Sequence, residues 1–364
     1  WELDIMSGLS ARRSRVDIST TQAPTEACER VAHFYLRELV REGTLSRIVA
    51  EYENLVQFAR GVASQQPAND AISKIAWASD TEDEIANLVK QYPDSHDLRL
   101  SKAIGERLPS IVSGDSGWQD DQIAGIFDQA LEYGSTLALA YREIGSVARQ
   151  IAHKHPRMSI LEVGAHAGRA TKHILRELNG TFSTYTVAHT TSPNYLAHVH
   201  DDLPSQVLLT SLDFNEDLEA QGFKGGSFDL VIAVGVTPMS LPIRQSLSSL
   251  RELLKPGGFS VLFEPTGNAI NYPFTMSLIP QWWSLEDEHR SEAKTVSLVT
   301  WNQLLRQTRF SGVDAVVSDN SEPKMSVIVS QATDETVQSL RKPLHSRKTI
   351  GTIPGKLLIL GGKS

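Results

Sequence analysis

The chain is poor in cysteine: it has one, Cys28, in 364 residues. A single thiol excludes an internal disulfide and any zinc site built on several cysteines, and it fits a reducing, cytoplasmic setting. No apolar stretch approaches the roughly 18 residues that a membrane span needs. The opening text, WELDIMSGLSARRSRVD, lacks the apolar run of a secretory signal. Long basic runs are missing too, and the formal net charge is −8. Nucleic acid is therefore not an expected partner, and neither is a membrane. No internal repeat is visible. What is there is ordinary globular composition, 40% hydrophobic and 21% charged. The length suits about two domains. The chain starts without Met and stops just after an apolar run, Leu357 to Leu360, so both ends read as cut from something longer.

Residues 1–24 are polar and irregular and read as a linker from a preceding domain. From Pro24 the pattern turns helical. Ala32, Tyr35, Leu36, Leu39 and Val40 fall on one face, closed by Gly43. Ile48, Tyr52, Leu55, Val56 and Ala59 continue in a second helix. Further helices are expected around 84–90 and 98–108. The longest is expected over 122–153, where Ile126, Ala130, Gly134, Leu137, Tyr141, Ile144, Ala148 and Ile151 keep a helical period until Pro156 stops it. Residues 25–155 thus read as an all-helical lobe.

The pattern then changes. MSILEV (158–163), TYTVAH (184–189), VLLTSLDF (207–214), FDLVIAVGV (228–236) and FSVLFE (259–264) are short apolar runs suited to buried parallel strands. Helices are expected at 170–178, 242–254 and 300–308, with a late strand at 325–332. Strands and helices alternating at this spacing predict an α/β fold, a doubly wound, Rossmann-like core over 156–335. Residues 333–349 are polar and read as a linker, and 336–364 as the linker and first strand that lead into a following domain.

Such sheets bind ligands at the carboxyl ends of their strands. The candidate cofactor loop is Glu162-Val-Gly-Ala-His-Ala-Gly168, with Gly164, His166 and Gly168 in the turn. Alone, it would serve NAD, a phosphate, S-adenosylmethionine (SAM) or mere close packing. Glu162 stands directly before the turn, where a carboxylate can take a polar ligand group. Asp213 and Phe214 end the third strand, an acid and an aromatic beside a possible adenine. A phosphate loop would want Gly-Lys-Ser/Thr, and an NAD site a cleaner G-x-G-x-x-G. With GSFDLVIA and LLKPGG in this order, the motifs resemble the ladder of class I SAM-dependent methyltransferases.

Longer stretches carry a narrower resemblance: WELDI, RLSKAIGERLPSIVSGDS (99–116), AHKHP, ILEVGAHAGRAT, FKGGSFDLVIA, LRELLKPGGFSVLFEPT (250–266), QWWSLEDEHR (281–290) and TWNQLLRQTRFSGVD (300–314). Together they resemble the C-methyltransferase domain of fungal highly reducing polyketide synthases and polyketide–peptide hybrids. The closing KLLILGG resembles the first strand of the structural ketoreductase-like region that follows in such synthases. The resemblance implies a class I methyltransferase core behind a helical lobe. It also implies SAM as cofactor, an acyl carrier protein and neighbouring domains as partners, and methylation of the α-carbon of a β-ketoacyl thioester. A His after the fourth strand would act as base, oriented by a Glu that corresponds to Glu264.

Four positions depart from the family text. His166 replaces a Gly that lets the backbone approach the cofactor, and Arg169 replaces another. His189 stands where an acid would accept two hydrogen bonds from the ribose, and a neutral imidazole accepts only one. Pro238 falls at the position of the catalytic His and has no proton to exchange. These changes touch loop, ribose and base. The expectation is a non-catalytic pseudo-methyltransferase that binds no SAM and is kept as a structural module, with Glu264 a remnant of the dyad. The alternative is an active, SAM-dependent enzyme with an atypical site, in which His166 or His189 supplies a displaced base polarised by Glu264. Other candidates read as structure. The His153/His155 and His198/His200 pairs lack further ligands nearby, Cys28 lacks an activating partner, and Ser192-Pro-Asn lacks a triad order. Trp282 and Trp283 suit either an acyl channel or a packed core.

Overall fold

The computed structural model describes residues 18–41, 45–64, 77–115, 121–164, 170–189, 203–234, 241–267, 269–284, 286–318 and 325–341. The helical lobe holds α1 (Ile18–Leu39), a 3₁₀ turn (Ala50–Tyr52), α2 (Glu53–Ser64), α3 (Glu82–Lys90), α4 (His96–Ser113), α5 (Asp121–Tyr133) and α6 (Ser135–Lys154). Helix α1 starts inside the stretch read as a linker, with Pro24 within it. Proline removes one hydrogen bond there. The buried Ala27, Cys28, Val31, Leu36 and Leu39 downstream anchor the helix. Ile48 precedes the second helix instead of joining it, and Gly43 lies outside the described residues.

The long helix expected over 122–153 is two helices. Gly134 between them is extended, with ψ 134. A Cβ on Gly134 would lie 2.2 Å from the Ala130 carbonyl oxygen and 2.3 Å from Asp97 Oδ1. Asp97 also accepts a hydrogen bond from the Ser135 hydroxyl, at 3.0 Å, so α4 holds the break in place. The helical period survives across such a kink, which is why the sequence reads as continuous.

The core is a seven-stranded sheet in the order β3-β2-β1-β4-β5-β7-β6. Its strands are β1 (Met158–Gly164), β2 (Phe182–His189), β3 (Val207–Ser211), β4 (Phe228–Val234), β5 (Leu254–Pro265), β6 (Ala315–Ser318) and β7 (Met325–Gln331). β1 to β5 run parallel, and β7 is antiparallel to both β5 and β6. Helix α7 (Thr171–Leu178) links β1 to β2, and α8 (Ile243–Leu253) leads into β5. Period-two alternation sorts the side chains. Ile160, Ile232, Val234 and Val261 pack toward α6 and α7. Leu161, Val163, Val231 and Leu262 pack toward α8 and a helix, α11, at Leu298–Gln307.

The stretch between β5 and α11 leaves the core. It carries two short helices, α9 (Asn271–Thr275) and α10 (Pro280–Ser284). Phe274, Met276, Leu278, Trp282 and Trp283 from it are buried in the lobe's own apolar cluster, with Leu55, Phe58 and Ile104. The lobe is therefore not confined to 25–155. Part of the stretch read as a C-terminal linker is helical, α12 (Glu335–Arg341). Among the described residues, no helix is long and apolar enough to cross a membrane.

Candidate functional site

The parallel strands end together at one edge. Gly164 closes β1 in register with His189 at the end of β2. Its φ is +125, and a Cβ there would lie 2.3 Å from the Val234 carbonyl oxygen at the end of β4. Only glycine leaves β1 at this angle and this close to its neighbour. Two residues earlier, Glu162 is fully buried. Its Oε2 accepts hydrogen bonds from Thr171 Oγ1 at 2.5 Å and from the Tyr185 hydroxyl at 2.7 Å. Burial, then the charge of Glu162, holds the Tyr185 phenol well above its ordinary range, so it stays a donor. The carboxylate expected to face a ligand is thus clamped beneath the turn, tying the start of α7 to β2. A buried carboxylate requires such donors.

His189 is 7% exposed, and its carbonyl accepts the Leu212 N–H at 3.0 Å. Asp213 follows on the surface. Its Oδ1 accepts from the backbone N–H and the amide of Asn215, both at 2.8 Å, which hold its carboxyl below the usual carboxylate range. Phe214 turns the other way, into the core cluster with Leu161 and Val163. The expected acid and aromatic are therefore split. Asp213 lies at the open edge, while Phe214 is packed beneath it. The reason is that β3 ends at Ser211, and the alternation it starts carries Leu212 and Phe214 inward.

Glu264 is fully buried near the end of β5, in register with Ser326. Tyr272 and Arg290 lie within its electrostatic reach. Burial, then the charge of Glu264, raises the Tyr272 phenol far above its usual range. Burial lowers the Arg290 guanidinium, opposed by Asp287, Glu264 and Tyr272. Arg290 lies over the Trp282 ring, 5.8 Å from its centroid, and Tyr272 meets the same ring edge-on at 5.6 Å. Sequence reasoning named neither Arg290 nor Tyr272. Arg290 closed a quoted motif, QWWSLEDEHR, whereas nothing in NYPF marked Tyr272. Trp282 and Trp283 have no exposed surface, which decides for a packed core over a channel wall.

His166, Gly168, Arg169 and Pro238 lie outside the described residues, as do His198, His200 and Ser192. His155 packs on Phe259, with ring centroids 5.5 Å apart, where α6 leads into the start of β1, away from this edge. Cys28 is buried in the lobe.

The sheet order, the positive-φ Gly164 at the end of β1 and the buried acids near the strand ends define a class I methyltransferase-type domain. A family model described as a methyltransferase domain matches residues 161–260. The chain is 32% identical over 381 aligned residues to a highly reducing polyketide synthase of Aspergillus aculeatus, covering 100% of this chain and 15% of that protein. A polyketide synthase–nonribosomal peptide synthetase of Talaromyces wortmannii is 36% identical over 355 residues, covering 92% of this chain and 12% of that protein. The chain thus spans a small part of the length of these relatives. Among solved structures, the CurJ carbon methyltransferase aligns with a TM-score of 0.74 at 19% identity, covering 91% of this chain and 99% of that one. The trans-methyltransferase CalH, solved in complex with SAH, aligns with a TM-score of 0.68 at 19% identity, covering 88% and 92%. The chain is thus similar along its length to a segment of fungal highly reducing polyketide synthases and their peptide-synthetase hybrids, part of it matches a methyltransferase domain, and it shares the fold of the solved carbon methyltransferase.

Proposed function

We propose that this domain is a SAM-dependent carbon methyltransferase acting on the α-carbon of a β-ketoacyl thioester held by an acyl carrier protein of the parent synthase. The observation that carries this reading is Gly164 itself, which ends β1 at positive φ so close to the Val234 carbonyl that no Cβ fits. It adjoins His189 and Val234, at the edge where open α/β sheets take their ligands. In this reading Gly164 and His189 hold the methionine and ribose parts of SAM, and Asp213, ionised at neutral pH, meets the adenine side. When bound, SAM supplies an electrophilic methyl group. The chain must hold the acyl thioester near Glu264 and pass its α-proton to a base, in this reading His166 or His189 polarised by Glu264, as the α-carbon takes the methyl group and SAH is left. Arg290 and Tyr272 give the Glu264 end of β5 a cationic and a hydroxyl neighbour that compensate charge as the α-proton leaves.

A second reading is favoured by Pro238 and His189, which stand where the resemblance calls for a base and a ribose-binding acid. In it, the domain is a pseudo-methyltransferase that spaces neighbouring domains, with 1–24 and 336–364 as its connections. One experiment separates the two. The chain is titrated calorimetrically with SAM and SAH, then incubated with SAM and an acetoacetyl-loaded carrier protein, and the product is weighed by mass spectrometry. Micromolar binding, with methyl transfer that Glu264→Gln suppresses, supports the enzyme. No heat at millimolar cofactor and no added methyl group overturn it in favour of the structural module.

A further inference from the structure

We propose that Gln221 is a positioning residue, whose carboxamide fixes the direction of the Asp213 carboxylate and with it the preference of this edge for adenine. The inference deepens the reading of the edge as the SAM site, and rests on it.

The stretch after β3 is anchored at both ends. Leu212 donates its N–H to the His189 carbonyl at the end of β2, and Leu212 and Phe214 are buried. Phe223, at the far end, is buried in the same cluster, with Leu218 packed against it. Between these anchors, Asp217 Oδ1 accepts the N–H groups of Glu219 at 2.8 Å and Ala220 at 3.1 Å. The Gln221 N–H reaches the Asp217 carbonyl at 3.3 Å and closes one helical turn. Gly222, at φ +90, then lets Phe223 turn back into the core.

This turn brings the Gln221 side chain onto both backbone groups of Asp213. Its Oε1 accepts the Asp213 N–H at 2.8 Å. Its Nε2 donates to the Asp213 carbonyl at 2.8 Å and to the Asp217 carbonyl at 3.2 Å. A planar amide paired with one residue's N–H and C=O does what a neighbouring strand would do, and β3 has already ended at Ser211. The peptide planes on both sides of the Asp213 Cα are thereby held, and the Cα–Cβ direction follows. Asn215 sets the carboxylate itself, because its backbone N–H and its amide both bond Oδ1. Among the described residues Oδ2 has no hydrogen-bond partner. A ligand at this edge therefore meets one carboxylate oxygen in a fixed place. Such an acceptor selects a base edge that offers an amino group. Adenine presents its N6 amino group there, whereas a 6-oxo purine presents a carbonyl that a carboxylate repels.

The test compares calorimetric titrations of the chain with SAH and with S-inosylhomocysteine, its 6-oxo purine counterpart. The unaltered chain should prefer SAH by about 10- to 150-fold, the range for a hydrogen bond to a charged acceptor. Gln221→Met keeps the length of the side chain and none of its hydrogen bonds. It should lower the preference to less than about fivefold. Added to Asp213→Ala it should change the preference no further, since both act through one carboxylate. A merely structural Gln221 would weaken both ligands together and keep the ratio. Thermal melts check that each variant folds. A folded Gln221→Met variant with the full preference overturns the proposal, and so does an unaltered chain that binds both ligands equally. The SAM reading survives either result. An unaltered chain that binds neither ligand overturns the SAM reading and the proposal with it. If Gln221→Met does not fold, Gln221→Glu takes its place. It keeps an acceptor for the Asp213 N–H and loses the donor, and an undiminished preference there overturns the proposal.

Discussion

Replacing Tyr185 with Phe removes one oxygen and no carbon. The ring is fully buried, so packing is preserved, and the change isolates a single hydrogen bond to a buried carboxylate. A hydrogen bond to a charged acceptor contributes about 1.5–3 kcal/mol, and the loss here should be ~2 kcal/mol because Thr171 still donates to the same oxygen. In urea, with an m-value of ~3 kcal/mol/M, the midpoint should fall by ~0.7 M with m unchanged. The double variant Tyr185→Phe, Glu162→Gln should cost less than the sum of the single changes, with a coupling of about 0.5–3 kcal/mol. A Tyr185→Phe midpoint within ~0.2 M of the parent would refute the clamp, since the loss would then be below the ~1 kcal/mol expected of an ordinary buried hydrogen bond.

Three further outcomes are expected. Gly164→Ala should cost on the order of 2–4 kcal/mol and abolish SAM-dependent heat, since it forces a Cβ against the Val234 carbonyl at positive φ; a variant that melts with the parent contradicts this. Trp283→Ala should cost about 3–5 kcal/mol and speed amide exchange in α2, because Trp283 packs on Phe58 with ring centroids 5.5 Å apart. The start of α3 should loosen in acid. Glu84 accepts the Thr81 N–H and hydroxyl, each at 2.8 Å, which lowers its pKa. A depressed carboxyl contributes stability above its unfolded value and loses it as pH falls through the folded one, so the Thr81 amide signal should shift below the usual carboxylate range and not before.

The parallel strands were legible because each is a short apolar run with a turn after it, and the physics of a doubly covered strand demands that text. β1, β2 and β4 lie within two residues of their expected starts. Helix α12 and strand β6 carry no such signature. β6 is four residues at the sheet edge, and α12 buries no side chain at all. The break at Gly134 was hidden for the opposite reason, because α5 and α6 keep their apolar period across it. Motif position alone singled out Glu162, Gly164, His189 and Asp213 as candidates, and the structure places them at or just beneath one edge of the sheet. What motif position could not give was direction. Glu162 faces down to two hydroxyls and Phe214 faces into the core, and both orientations follow from contacts with residues distant in sequence. Arg290 and Tyr272 were missed because they approach Glu264 from the excursion between β5 and α11.

That excursion also bears on how such a fold is maintained. The chain leaves β5 just after Glu264, crosses into the lobe and returns through Arg290. On the way, Glu29 caps the Ile270 and Asn271 N–H groups, Ser101 bonds Asn271 at 3.1 Å, and Asn54 donates to the Trp283 carbonyl at 2.8 Å. Two fully buried tryptophans are set into the lobe between these ties. Each tryptophan contributes several kcal/mol of burial, so removing the segment would open both the lobe core and the end of the sheet. None of these ties involves Gly164, His189 or Asp213. The groups that stabilise the junction of lobe and sheet are therefore separate from those that would hold SAM. The same separation predicts that cofactor binding and lobe docking are independent variables, each open to change while the other persists.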